Sequence, residues 1–153
     1  MNKFVLLSVA IAIILGGLLW VWLYAARATG ASKARLSIDT VEGEHLYQQF
    51  CAACHGADLE GQPDWQMPGA DDTLPAPPHD ETGHAWHHSD QTLFVYSKWG
   101  GAEALARQGV TFNSGMPGFA DQLSDAEIRS ILTFIKSTLS EENRAFPGAQ
   151  NKP

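Results

Sequence analysis

The chain is predicted to be all-α, with one helix able to cross a bilayer ahead of a small helical domain. Three observations carry this. No segment shows the apolar–polar alternation of a half-buried strand. Ser124-Asp125-Ala126-Glu127 is a capping box, and Ile128, Ile131, Leu132, Ile135 and Leu139 follow it on one helical stripe. Near the amino terminus, Lys3 precedes 23 uncharged residues, Phe4 to Ala26, rich in Leu, Ile and Val.

That apolar run comes first in the chain. At about 1.5 Å per residue it spans roughly 34 Å, against a bilayer core of about 30 Å. Trp20, Trp22 and Tyr24 gather at its far end, where aromatic rings suit the membrane interface. A secretory signal has a shorter apolar core, although Ala26-Arg27-Ala28 has the form of a cleavage site. Residues 1–28 are therefore read as a membrane anchor or signal sequence, with retention favoured by length. Residues 29–38, small and polar with a few charges, are read as a linker.

Asp39 or Thr40 is placed to cap a helix running to about Phe50, with Gly43, Tyr47 and Phe50 on one face. A glycine inside a helix costs about 1 kcal/mol against alanine, which makes sense where another helix comes close. The stretch Gly56–His88 carries five prolines and four glycines and is expected to be a long loop wrapped over something. Ser89 is placed to cap a helix over Asp90–Trp99, ended by Gly100-Gly101. Ala102–Gln108 is expected to add a short helical turn before Gly109. Residues 39–140 form the domain, and 141–153, polar and interrupted by Pro147-Gly148, are read as a flexible tail.

Charge narrows the function. The chain has 153 residues and a formal charge of −7. From Leu36 onward six Lys and Arg face seventeen Asp and Glu, a net of −11. Such a surface is unsuited to nucleic acid, whose phosphates need cations. It serves plain solubility, or favours a basic docking partner.

The decisive motif is Cys51-Ala52-Ala53-Cys54-His55, which holds both cysteines of the chain. A disulfide, a redox Cys-x-x-Cys pair and half of a zinc site are the competing readings. A zinc site needs a second ligand pair at finger-like spacing, and a thioredoxin-like pair needs a βαβ context. Neither is visible, and the spacing is that of c-type haem attachment: two thioethers to the haem and an imidazole on the iron.

A second axial ligand sets the chemistry. Met116, in Asn113-Ser114-Gly115-Met116-Pro117-Gly118-Phe119, leads, because its glycines and proline permit a fixed loop. Met67-Pro68-Gly69 repeats the local pattern only twelve residues after His55. From there the chain has a harder path to the opposite haem face. A His/Met pair raises the reduction potential and leaves no open coordination position. His79, His84, His87 and His88 crowd into one decapeptide; they are read as loop residues, with a metal site or a bis-histidine haem as alternatives. Trp86 and Trp99 are placed either at the haem edge or in the core.

Together these residues resemble a class I cytochrome c over about Glu42–Leu139, on Gly43 and Tyr47, Cys51 to Gly56, Met116 to Phe119, and Leu123 through Phe134. The resemblance implies a helical fold wrapped around one covalently bound haem c, with the first and last helices crossing at Gly43, Phe50 and Phe134. It implies Cys51 and Cys54 as attachment residues, His55 and Met116 as axial ligands, and single-electron transfer between redox protein partners rather than enzymatic turnover. The competing functions are a haem enzyme (a peroxidase or small-molecule reductase) and a metal-handling module built on His79–His88. Because c-type attachment takes place outside the cytoplasmic membrane, the expected location is a bacterial inner membrane with the haem domain in the periplasm, or the soluble periplasm after cleavage. The cations after the span, Arg27, Lys33 and Arg35, weakly favour the opposite orientation.

Overall fold

A computed structural model describes residues 2–146. All regular structure among them is helical: α1 (Lys3–Phe50), α2 (Ala52–His55), a 3₁₀ turn (Ala85–His87), α3 (Asp90–Trp99), α4 (Gly101–Ala106), α5 (Asp125–Thr138) and α6 (Glu141–Arg144). The chain divides into two compact units, one ending at Ser37 and one starting at Ile38.

In the first unit α1 is long and apolar enough to cross a membrane. Every side chain from Ala12 to Ser37 is exposed, and the rings of Trp20 and Tyr24 stack at 5.9 Å. The boundary between the units falls at the end of the segment expected as a linker. Residues 29–38 are helical, and no new helix starts at Asp39 or Thr40. The segment contains no proline, and Ala28, Ala31, Lys33, Ala34, Arg35 and Leu36 are good helix formers that outweigh the single Gly30. The Thr29 and Ser37 hydroxyls, which can compete with helical bonding, donate back to carbonyls three or four residues earlier.

In the second unit the core is built between the end of α1, α3 and α5. Leu46, Tyr47, Phe94, Ile128, Ile131 and Ile135 are buried in it. α1 and α5 touch through backbone: a Cβ on Gly43 would lie 1.9 Å from the Ser130 carbonyl oxygen. The ring of Tyr47 packs on Phe134 at 5.5 Å. Phe50, expected at the same crossing, meets Phe119 instead, at 6.0 Å.

The caps follow the sequence. Ser89 accepts from the Thr92 amide to start α3. Ser124 and Glu127 form the full reciprocal box at α5. Gly100, at φ +82°, ends α3 and opens α4, which therefore starts at Gly101, one residue earlier than expected. At that turn a side chain would strike the backbone of Met116 and Gly118.

The long loop 56–88 is folded rather than slack. Leu59 is buried in the core. Its carbonyl accepts from the His79 amide at 2.8 Å, and Gln62 pairs with Ala76 through backbone and side chain. The expected tail begins as a docked turn. Ser140 caps α6, the Glu81 carboxylate accepts from the Ser140 amide and from Asn143 Nδ2, and Phe146 lies against Trp86 and His87 at 5.3 and 4.8 Å. Pro147-Gly148 and the rest of the tail lie outside the described residues.

Candidate functional site

α1 delivers the two cysteines. The Cys51 amide donates to the Tyr47 carbonyl, and the Cys54 and His55 amides donate to the Cys51 carbonyl. One tight turn thus presents Cys51, half-buried, and Cys54, exposed, three residues apart on the same side, both as free thiols. Burial, and then the neighbouring Cys54, push the Cys51 thiol up to about 11. A thiol-exchange catalyst needs the opposite shift, towards thiolate.

His55 is 8 % exposed. Its Nδ1–H donates to the Pro77 carbonyl at 2.8 Å. This bond fixes the tautomer and leaves Nε2 as a lone-pair donor, the arrangement a metal-ligating imidazole requires. Burial lowers its pKa, partly offset by the Pro77 bond, so the ring is kept neutral. The Tyr47 hydroxyl donates to the Gly56 carbonyl at 3.1 Å, tying α1 to the chain leaving the motif.

Met116 is half-buried in a loop pinned on both sides. Its carbonyl accepts from the Gly101 amide, and the Phe119 and Ala120 amides donate to Ser97 and Lys98 at the end of α3. The Ser114 hydroxyl accepts from the Met116 amide. Met67 is 66 % exposed in a surface turn closed by its own amide on Asp64.

The rings of His84 and His88 meet edge-on at 5.4 Å. Among the described residues no group of three or more His, Cys, Asp and Glu side chains is assembled to hold a metal ion. His84 lies on Trp65 at 5.3 Å and His87 on Trp86 at 3.7 Å. Trp86 also donates to the Gly83 carbonyl. Trp99 is more than a third exposed, beneath the cations of Lys98 and Arg107.

His79 turns its ring to the haem-motif histidine. Its ring stacks on His55 at 3.9 Å and 15°, with its Nδ1 buried and without a hydrogen-bond partner. Burial first, then the nearby His55 and His84, lower its pKa to about 3. Nothing in the sequence distinguished it from its neighbours; the pairing is made by the loop folding back through Leu59 and Pro77.

These residues fit a covalently held haem. Two thiols share one side of a turn, and a neutral buried imidazole beside them has Nε2 free. The methionine loop is held by backbone bonds. A family profile described as cytochrome c matches residues 40–139, more than half of the chain. No curated protein and no solved structure matches the chain. The chain belongs to the cytochrome c family, and its cofactor is covalently bound haem c.

Proposed function

We propose that this protein is a membrane-anchored carrier of single electrons, with Cys51 and Cys54 as the thioether residues and His55 and Met116 as axial ligands. The observation that carries the reading is the His55 Nδ1–Pro77 hydrogen bond on a buried ring. It orients the imidazole and strengthens it as a donor. Bound haem supplies the one-electron couple. The chain's part is to keep both ligands in place through the change of oxidation state, so that little reorganisation accompanies transfer. The backbone bonds of Met116, Phe119 and Ala120 to the α3–α4 corner support this for the methionine side. A sixth position filled by sulfur disfavours peroxide or oxygen chemistry.

The apolar start of α1 supports retention as an anchor, with the haem domain on the periplasmic face of a bacterial inner membrane. Partners are then redox proteins of, or next to, the same membrane.

Optical spectroscopy of the purified holoprotein tests the reading, together with its intact mass and its partition in membrane fractions. A low-spin spectrum with the sulfur-to-iron charge-transfer band in the oxidised form is expected, on a chain that keeps residues 1–28 and resists salt extraction. A high-spin ferric spectrum with rapid peroxide turnover would replace the carrier by the haem-enzyme reading.

A further inference from the structure

Charge is unevenly distributed over the haem domain. From Leu36 to Ser97 the chain carries eleven Asp and Glu and not one Lys or Arg. The next four cations sit on α3, α5 and the turn after α4. Lys98, Arg107 and Lys136 are paired with Asp125, Glu103 and Asp90, and Arg129 lies over Phe94. The segment that holds the haem motif and the long loop therefore has no cation of its own.

One part of that acidic loop reaches the methionine loop. Asn113 Nδ2 donates to the Asp71 carbonyl at 3.0 Å, across 42 residues of sequence. Asp71 and Asp72 are both exposed there. The Asp71 carboxylate is held by the Thr73 amide and hydroxyl at 3.2 and 2.7 Å, so its position is set by the turn. On the segment that Asn113 belongs to, Val110 and Phe112 are 47 % and 41 % exposed. Exposed apolar side chains on a segment bonded to an exposed acidic turn have the anatomy of a protein contact: an apolar centre, a polar rim, and a field that selects the opposite charge.

We propose that Val110–Asn113 together with the Asp71–Asp72 turn form the surface on which this protein docks the basic face of a redox partner. The inference rests on the electron-carrier reading and names the surface through which that carrier meets its partner. The carboxylates repel an anionic lipid surface, so the occupant is a protein bearing Lys and Arg.

The test uses the ferrous holoprotein, full length in neutral detergent and ¹⁵N-labelled, titrated with an oligolysine peptide in place of the basic face. Amide shifts are expected to concentrate on residues 71–73 and 110–113 and to vanish on addition of salt. The double variant D71N/D72N, in which asparagine keeps the turn, should bind about threefold or more weakly at low ionic strength. The double variant E141Q/E142Q removes the same charge elsewhere and should bind like the parent. Shifts centred on other carboxylates, or equal weakening in both double variants, would overturn the proposal. The haem spectrum and reversible one-electron titration of the same samples report on the carrier reading separately, so failure of one is not failure of the other.

Discussion

The missing side chain of Gly43 is the space occupied by the Ser130 carbonyl: a Cβ there would stand 1.9 Å from the oxygen and 2.5 Å from its carbon. Both partners are helical backbone, so neither can swing aside. Gly43→Ala should therefore force α1 and α5 apart and loosen the Tyr47–Phe134 contact. The expected cost is about 3 kcal/mol, the upper range for overpacking. For a domain of this size that is a drop of roughly 10–20 °C in Tm of the holoprotein. A Tm within a few degrees of the parent would show that the crossing tolerates a methyl group.

Met116 and Met67 are separated by the same logic. The Met116 loop is bonded to Ser97, Lys98 and Gly101, while Met67 is largely exposed on the surface. Met116→Ala should lower the reduction potential by on the order of 0.1 V or more. It should also open the ferrous iron to carbon monoxide. Met67→Ala should leave both the potential and the spectrum as they are. The reverse pattern would move the axial ligand into the long loop.

Much of this arrangement was legible before any coordinates. Capping residues act on amides two or three positions away, so Ser89 and the Ser124–Glu127 box state where α3 and α5 begin. The stripe from Ile128 to Leu139 names the buried face of α5 because its period is local. The haem motif is equally self-contained. What escaped depends on distant partners. α6 and Phe146 dock because Glu81 and Trp86 lie about sixty residues earlier in the chain. His79 turns its ring to His55 because Leu59 and Pro77 bring it there. The helix through residues 29–38 was hidden for another reason: its Gly, Ser and Thr read as linker, yet the summed propensity of its Ala, Lys, Arg and Leu is helical.

Acid stability should carry the signature of the α5 cap. The Ser124 hydroxyl and amide both bond to the Glu127 carboxylate, and these bonds hold its pKa below the ordinary value of 4.5. The folded-state value is thus the lower one. The contribution is complete above the unfolded-state value and is lost as pH falls through the folded-state value. Glu127→Gln should remove this part of the pH dependence, seen as a smaller fall in Tm between about pH 5 and pH 3 than in the parent. Ser124→Ala should cost about 1 kcal/mol at neutral pH as well, since α5 then starts without its cap. Parallel melting curves of Glu127→Gln and parent across that range would show that the box adds nothing.

The turn held by Glu81 should behave as a local unit. Its carboxylate receives the Ser140 amide and Asn143 Nδ2, while the Ser140 hydroxyl caps Asn143 from the other side. All of these groups are exposed or close to it, and α6 contributes nothing to the buried core. Breaking the contact should therefore open the segment without unfolding the domain. A hydrogen bond to a charged acceptor is worth about 1.5 kcal/mol, which corresponds to roughly tenfold in a local opening equilibrium. Glu81→Ala should accordingly raise amide exchange over residues 140–146 about tenfold. The Tm of the holoprotein should move by no more than a few degrees, because core residues such as Ile128 and Tyr47 keep their contacts. If exchange rose equally across α5, the turn would have to be counted as part of the global folding unit, and the Glu81 contact as one of its supports.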